Sequence, residues 1–259
     1  MSLDEATTET LADDLFAALR SGEPIDPLTD GRDLTIEDAY GIQSAFLDRR
    51  LADGASVVGH KIGLTSDGIQ DQLGVEEPDF GRLLDTMRVA DGVVPSDDLV
   101  APRVEPEIGF VLEEDLRAPV TDLDVLESTR GVVPVAEIID SRVRDWDIRI
   151  QDTVADNASA GLFATGSQLT DVSGLDLSLE GVKLYRNGDL TEAGVGANVL
   201  DHPARAVAWL ANTLAEMDAT LDAGDLVLSG SFVPAVDLAT GDTLTIEFSS
   251  LGTLTLRVD

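Results

Sequence analysis

The spacing of apolar residues predicts two helices at the start of the chain. Apolar side chains recur on one helical face at Leu11, Leu15, Ala18 and Leu19. Gly22 follows them, where a helix would end. A second helix is predicted to begin after Thr35, because Thr35 and Asp38 form a capping-box pattern, and to end at Gly54. We therefore expect a small helical N-terminal part.

From residue 56 onward the pattern changes to short apolar runs separated by Gly, Pro and Asp, which is typical of strands. Six runs carry this pattern: Val57–Ile62, Leu99–Leu112, Val132–Ile139, Val182–Arg186, Leu226–Ser229 and Leu244–Phe248. Asn187-Gly188 predicts a hairpin turn, alternation over Gly241–Val258 predicts a further hairpin, and His202–Met217 predicts one more long helix. We expect an α+β protein, with a helical or α+β region over 1–75 and a mostly antiparallel β domain over 76–259.

The composition excludes several kinds of site. The chain has no cysteine and two histidines, so it can form neither a disulfide nor a zinc–thiolate site, and a site of several histidines is not expected. Any metal would therefore be held by oxygen. No run of about 20 apolar residues is present, and the first ten residues are acidic where a signal peptide would be positive. We expect a cytoplasmic protein.

The charge balance bears on partners and environment. The chain has 50 acidic and 17 basic residues and a formal net charge of −33, which repels nucleic acid and anionic membranes. A hydrophobic content of 43% favours a folded domain over a disordered acidic chain. Self-repulsion on this scale is tolerable mainly in concentrated salt, where the Debye length falls to about 3 Å at 1 M. We therefore predict a halophilic, haloarchaeal-like protein.

Three glutamates are candidate metal ligands. Glu105 and Glu107 are two residues apart in a predicted strand, so their side chains project from the same face. In so acidic a chain the pair alone is weak evidence. Glu137 strengthens it, because it lies in a second, apolar strand where a carboxylate without a partner would be costly to bury. Three carboxylates and water suit Mg²⁺ or Mn²⁺.

Lys61 is the second candidate. It lies on an apolar strand between Gly59 and Gly63, and the chain has only one other lysine, Lys183, so its retention favours a function. Its ammonium could reach a small anion, although a surface lysine is the alternative. His60 alternates to the opposite face and is interpreted as structural.

Two polar turns also stand out, Pro78–Gly81 and Asp156–Ser159. Each places polar side chains beside apolar sequence, where they could face a site. Ordinary caps and Asx-turns have the same composition. Taken alone, each turn is therefore interpreted as structural.

Several segments in order resemble the 2-keto-4-pentenoate hydratase family of the fumarylacetoacetate hydrolase superfamily. These are GHKIGLTSDGIQDQLG, EEPDFGRLLDTM, RVEPEIGFVL, VAEIIDSR, DTVADNASAG and HPARAVAWLANTL. The resemblance implies a fumarylacetoacetate-hydrolase-like C-terminal β domain. It implies three ligands of a divalent metal, Glu105, Glu107 and Glu137. It also implies active-site roles for three other side chains, Lys61, Asp79 and Ser159.

The function implied by the resemblance is a metal-dependent hydratase. Such an enzyme adds water to a 2-hydroxypenta-2,4-dienoate-type substrate, an unsaturated 2-oxo acid of aromatic catabolism, and gives a 4-hydroxy-2-oxo acid. Asp79 is expected to transfer a proton, Lys61 to hold the carboxylate or enolate oxygen, and Ser159 to bond the carboxylate. The resemblance also implies a homo-oligomer, and the partners considered include another enzyme of the pathway in a complex.

Other functions stay open at this point. A 4-oxalocrotonate decarboxylase is the main enzyme alternative, but in the decarboxylases an apolar residue stands at the position of Asp79. A tautomerase or an acylpyruvate hydrolase is more distant, and the superfamily's hydrolases use a His-Glu pair that has no convincing counterpart here. A non-catalytic scaffold subunit is the alternative from another class, and it would need neither Lys61 nor Asp79.

The acidic surface predicts a dependence of stability on salt. Because screening weakens the self-repulsion of the folded chain, the melting temperature should rise as KCl increases from about 0.1 M to above 1 M. A thermal melt followed by circular dichroism at several KCl concentrations measures this. An unchanged melting temperature across the range would contradict the halophilic interpretation.

Overall fold

The computed structural model describes residues 3–66, 68, 70 and 74–259. Part of the Gly59–Gly74 segment, and the first two residues of the acidic start, lie outside the described residues. The described α-helices are α1 Glu5–Ser21, α2 Ile36–Ala52, α3 Asp122–Glu127, α4 Ile150–Ala155 and α5 Pro203–Ala215. The strands are β1 Val57–Gly63, β2 Asp79–Leu84, β3 Val93–Val94, β4 Arg103–Leu112, β5 Thr129–Ile139, β6 Ala160–Thr165, β7 Gly181–Arg186, β8 Asp189–Val195, β9 Leu226–Leu228, β10 Val236–Asp237, β11 Thr243–Phe248 and β12 Gly252–Val258.

The two predicted N-terminal helices are confirmed, and the residues predicted to end the first and begin the second do so. Helix α1 ends at Gly22, which has a left-handed φ of 69°. At the start of α2, the Asp38 N–H donates to the Thr35 hydroxyl at 3.1 Å and the Thr35 N–H donates to the Asp38 carboxylate at 3.0 Å. The apolar faces of both helices pack against α4 through Val154 and Ala155. These contacts place α4 beside the sheet.

Two sheets form the rest of the fold. The larger has the strand order β2-β1-β9-β4-β5-β6, with β10 also paired to β4, and the smaller has the order β3-β12-β11-β7-β8. All strand pairs are antiparallel except β1 with β9 and β3 with β12. The α+β class and the mostly antiparallel sheets are therefore as predicted, as are the β7–β8 turn at Asn187-Gly188 and the β11–β12 hairpin.

Some element bounds differ from the prediction. The strand expected over 99–112 begins only at Arg103, because the N–H groups of Val100 and Ala101 donate to the Asp140 carboxylate and not to a neighbouring strand. Strand β1, from the predicted N-terminal region, pairs with β2 and β9 in the large sheet. The domain boundary at residues 75/76 stays a prediction.

The main core covers one face of the large sheet. Ile108 and Phe110 of β4 are fully buried in a cluster that includes Leu184 and Ile246 of the small sheet and Leu210 of α5. Because side chains alternate along a strand, the odd-numbered residues of β4 point to the opposite face. That face carries the candidate glutamates. Within the described residues, no helix has the length and apolar character needed to cross a membrane.

Two glycines give a matched test of the packing. A Cβ on Gly59 would lie 1.8 Å from the Leu226 carbonyl oxygen, where β1 and β9 meet, whereas a Cβ on Gly41 in α2 would contact nothing within 4 Å. Gly59→Ala should therefore lower the free energy of unfolding by about 1–3 kcal/mol or more. Gly41→Ala should raise it by about 0.5–1 kcal/mol, because alanine favours a helix. Urea unfolding measures both, and equal effects would contradict this packing.

Candidate metal centre and active site

The three candidate glutamates lie side by side on the large sheet. Glu105 of β4 is directly opposite Glu137 of β5, and Glu107 is two residues further along the same face. One carboxylate oxygen from each lies within 4.8 Å of the other two. The structure thus brings together the side chains that same-face spacing predicts to converge.

These carboxylates are held in a low-dielectric environment. Glu107 and Glu137 are each 1% exposed. Burial, followed by the negative charge of Glu137, raises the pKa of Glu105 to about 7. The same two causes raise the pKa of Glu107 well above its ordinary value. The cluster therefore carries unfavourable charge that a cation among the three carboxylates would relieve.

The hydrogen bonding of the cluster fits a metal centre. Glu107 accepts one bond, from the Gly230 N–H at 2.8 Å. Its other oxygen, and both oxygens of Glu137, are buried and have no hydrogen-bond partner among the described residues. Unsatisfied buried carboxylate oxygens are costly in an ordinary core. A donor set made only of carboxylate oxygen suits a hard divalent cation with water completing its coordination.

Lys61 lies on the same face and is 3% exposed, so the alternative of a surface lysine is wrong. Its ammonium lies 3.5 Å from the Glu137 carboxylate and donates to the Ala158 carbonyl at 3.0 Å. Burial by itself lowers the pKa of Lys61, but the surrounding carboxylates, Glu137 first, raise it above its ordinary value. Lys61 therefore stays protonated beside the glutamates.

Asp79 is placed beside Lys61 by the pairing of β1 with β2. Gly63, two residues after Lys61, is directly opposite Asp79. A Cβ on Gly63 would lie 2.3 Å from the nearer Asp79 carboxylate oxygen and 3.3 Å from the Lys61 ammonium, so glycine leaves room for both groups. Burial raises the pKa of Asp79, although the Lys61 charge opposes it. Asp79 can therefore hold a proton at higher pH than an exposed aspartate.

One cavity of about 260 Å³ is lined by Lys61, Asp79, Glu105 and Ser159. Ser159 is 2% exposed, and its hydroxyl has no hydrogen-bond partner in the described part of the chain. A buried hydroxyl that faces a cavity can bond a polar group of a ligand. The cavity thus combines the Lys61 ammonium, an acid with a raised pKa, a hydroxyl and Glu105 of the carboxylate cluster.

His60 faces away from this cavity, as strand alternation predicts. It lies 4.0 Å from Asp225, and burial lowers its pKa to about 4. It is therefore neutral near pH 7 and does not contribute a charge to the site.

Two further cavity-lining residues were missed in the sequence. Arg103 and Trp146 both line the cavity, and the Arg103 guanidinium lies 4.4 Å from the centre of the Trp146 ring. Arg103 also donates to Asp237 at 2.8 Å. The same-face rule that links Glu105 and Glu107 also applies to Arg103 and could have found it. Trp146 lies outside the strands, where no periodicity indicates which residues face a cavity.

This geometry is accompanied by extensive similarity to known proteins. Residues 77–259 match the family described as fumarylacetoacetate (FAA) hydrolase C-terminal. The chain is 46% identical over 259 residues to the 2-hydroxyhexa-2,4-dienoate hydratase of Comamonas testosteroni, with 98% of each chain covered. It is also 46% identical to the 2-keto-4-pentenoate hydratase of Paraburkholderia xenovorans (strain LB400), covering 95% of this chain and 93% of that one.

A solved structure has nearly the same fold. The 4-oxalocrotonate decarboxylase from Pseudomonas putida G7, complexed with magnesium and adipate, is 36% identical, with a TM-score of 0.96 over 100% of this chain and 99% of that one. The expected fumarylacetoacetate-hydrolase-like fold is thereby confirmed. The relatives named here are bacterial and do not bear out the haloarchaeal-like expectation. By sequence and by fold, the chain belongs to the fumarylacetoacetate hydrolase superfamily and, within it, to the 2-keto-4-pentenoate hydratase family.

Proposed function

We propose that this protein is a divalent-metal-dependent hydratase, a carbon–oxygen lyase that acts on a 2-hydroxypenta-2,4-dienoate-type substrate of aromatic catabolism. The observation that carries the proposal is the convergence of Glu105, Glu107 and Glu137 beside Lys61 and Asp79. The high identity to two enzymes named as hydratases of such dienoates supports the same reaction.

The metal proposal is that the three glutamates hold Mg²⁺ or Mn²⁺. Their oxygen-only donor set and their unpartnered buried oxygens support it, as does the magnesium in the related decarboxylase structure. When bound, the cation supplies a Lewis acid that polarises the 2-oxygen of the substrate. Lys61 and Ser159 then lie where they can bind the negative oxygens of the 2-oxo acid, the ammonium by charge and the hydroxyl by a hydrogen bond.

Asp79 is proposed to move the protons. Loss of the 2-hydroxyl proton and addition of a proton at C5 convert the dienol into a 2-oxo-3-enoate, in which the double bond is conjugated to the carbonyl. Water then adds its hydroxyl to C4 and a proton to C3, which gives the 4-hydroxy-2-oxo acid. Because burial raises its pKa, the Asp79 carboxyl is better suited than an exposed aspartate to donate a proton and take it back. Lys61 stabilises the negative charge that develops on the substrate oxygens.

The competing activity is decarboxylation of a 4-oxalocrotonate-type substrate. The fold does not separate the two reactions, because the related decarboxylase overlays on the whole chain. Sequence identity favours hydration, at 46% to the two hydratases and 36% to the decarboxylase. An acid at position 79 also favours it, since hydration requires proton transfer to carbon. Assays that follow both the loss of the dienoate and the release of carbon dioxide separate the two activities.

We propose that the enzyme is a cytoplasmic homo-oligomer and that it forms a complex with another enzyme of the same pathway. We also retain the high-salt environment, for which the net charge of −33 is the support. Size-exclusion chromatography with light scattering, in low and high KCl, measures the subunit count.

The third prediction concerns the metal ligands. Replacing any one of Glu105, Glu107 or Glu137 by glutamine should lower Mg²⁺ affinity at least about tenfold and lower turnover with it, because one ligand is lost. The metal-free variants should be as stable as the parent or more so, since repulsion among the carboxylates falls. Calorimetry, initial rates and urea unfolding measure the three quantities.

Glu180→Gln is the matched control for this series. Glu180 is also buried, at 3% exposed, but its carboxylate accepts from the Ser250 N–H at 2.7 Å, outside the cavity. This variant should retain metal affinity and turnover. If the glutamine variants of Glu105, Glu107 and Glu137 all kept normal metal-dependent activity, the proposed metal centre would be wrong.

The fourth prediction concerns Asp79. Asp79→Asn should lower kcat by about 100-fold or more, because the amide cannot transfer the proton, while Mg²⁺ affinity changes by less than about threefold. The variant should fold normally, since burial already favours the neutral form of this side chain. Asp242→Asn, a buried aspartate paired with Arg186 in the small sheet, is the control and should retain kcat. Near-normal turnover of Asp79→Asn would show that Asp79 has only a structural role.

A further inference from the structure

The segment between α4 and β6 has an unusual backbone. Asn157, Ala158 and Ser159 are consecutive residues other than glycine, and their φ angles are 56°, 50° and 52°. The left-handed conformation costs about 1–2 kcal/mol for each such residue, although asparagine tolerates it better than most. Three in succession persist only where the surroundings impose them. We call residues 157–159 the left-handed turn.

The left-handed turn positions two groups of the candidate active site. Its middle residue, Ala158, directs its carbonyl oxygen to the Lys61 ammonium at 3.0 Å. Its last residue, Ser159, lines the cavity. Ala158 is the neutral partner of an ammonium whose other close contact is Glu137, at 3.5 Å. The position of the turn therefore fixes the position of Lys61.

Asn157 joins this turn to the strand that carries Asp79. Its side-chain oxygen accepts from the Arg82 N–H at 2.8 Å, and its side-chain nitrogen donates to the Arg82 carbonyl at 2.9 Å. The backbone approaches β2 closely as well, because a Cβ on Gly81 would lie 2.4 Å from the Asn157 carbonyl oxygen. The Asn157 amide thus binds β2 as a neighbouring strand would, three residues from Asp79.

The other side of the turn is held by a buried ion pair. Arg142 and Asp156 are 1% and 0% exposed. The Arg142 N–H donates to the Asp156 carboxylate at 2.9 Å, and its guanidinium donates to the Asp156 carbonyl at 2.6 Å. This pair fixes where the turn begins, and its hydrogen bonds in the described part of the chain go to residues other than those of β2. Beside the direct pairing of β1 with β2, the side chain of Asn157 therefore holds the turn that binds the Lys61 ammonium on the strand of Asp79.

We infer that Asn157 is a positioning residue for the proposed hydration. It holds the left-handed turn on β2 through Arg82, and the turn then holds the Lys61 ammonium at a fixed place beside Asp79. Asn157 does not line the cavity and acts only through these neighbours. The inference rests on the proposed function for its effect on turnover, whereas its effect on Lys61 is a separate structural claim.

The variant that tests the inference is Asn157→Gly. Glycine adopts a left-handed φ without strain, so the substitution removes the two bonds to Arg82 without opposing the turn. Displacing a catalytic group by about 1 Å can cost on the order of 100-fold in rate. We expect kcat to fall at least tenfold, with the KM of the dienoate and the Mg²⁺ affinity each changed by less than about threefold.

Asn187→Gly is the matched control. Asn187 is also left-handed, with φ of 55°, and its side chain also accepts from a backbone N–H, that of Thr243 at 2.9 Å, and donates to an oxygen, that of Asp242 at 2.7 Å. It lies in the β7–β8 turn of the small sheet, away from the cavity. The control should lose less stability, because Asn187 is exposed and Asn157 is buried, and it should keep kcat within about twofold, with each rate expressed per folded protein.

A crystal structure of Asn157→Gly gives a readout that does not depend on activity. We expect the contact between the Lys61 ammonium and the Ala158 carbonyl to be lengthened or lost. If Asn157→Gly does not fold, Asn157→Asp serves in its place, because it keeps the acceptor for the Arg82 N–H and loses the donor, and the same two readouts apply.

The outcomes separate the two proposals. An inactive parent enzyme with a displaced Lys61 in the variant would overturn the hydratase function and leave the positioning claim supported. An active parent whose Asn157 variant retains kcat, or keeps Lys61 on Ala158, would overturn the positioning claim. A loss of kcat shared equally by Asn187→Gly would also overturn it, since a general loss of stability would then explain both.

Discussion

The burial of one lysine among four carboxylates is the constraint on which the rest of this structure depends. Removing a charge from water costs several kcal/mol unless partners compensate. Here one ammonium, that of Lys61, faces the carboxyl groups of Asp79 and the three glutamates, and burial raises the pKa of Asp79, Glu105 and Glu107. A divalent cation at the glutamates would stabilise their ionised forms, so the metal and the lysine would together compensate the buried carboxylates. The charged groups of the site compensate one another, whereas burying any one of them alone would cost free energy of folding.

The fold can be understood as the means of placing these groups together. Two strand pairs, β1 with β2 and β4 with β5, place Lys61, Asp79 and the three glutamates on one face of the large sheet, while the opposite face packs on the small sheet and α5. Gly63 and Gly81 leave the space that Asp79 and the left-handed turn occupy. The helices α1 and α2 pack against α4, directly before that turn. The left-handed backbone of residues 157–159 thus also orients the Lys61 ammonium, through the Ala158 carbonyl.

The sequence predicts those parts of the structure that depend on periodicity. Alternation along a strand is enough to place Glu105, Glu107 and Lys61 on definite faces, and the caps of α1 and α2 are local signals. The resemblance to a family was needed for Asp79 and Ser159, because the composition around each is that of a turn and does not distinguish a site from a cap. For Asp79 the turn interpretation was wrong, since this residue begins strand β2. The role inferred for Asn157 depends on its contact with Arg82, 75 residues away in the chain, and no local pattern reports such a contact.

The most direct test of the central claim is a crystal structure grown with Mn²⁺, with anomalous diffraction measured at the manganese absorption edge. The account predicts one strong anomalous peak, bonded to an oxygen of each of Glu105, Glu107 and Glu137 and adjoining the cavity that contains Lys61 and Asp79. A peak elsewhere in the molecule would contradict it. So would the absence of a peak in crystals of a preparation that shows Mn²⁺-dependent hydration in solution.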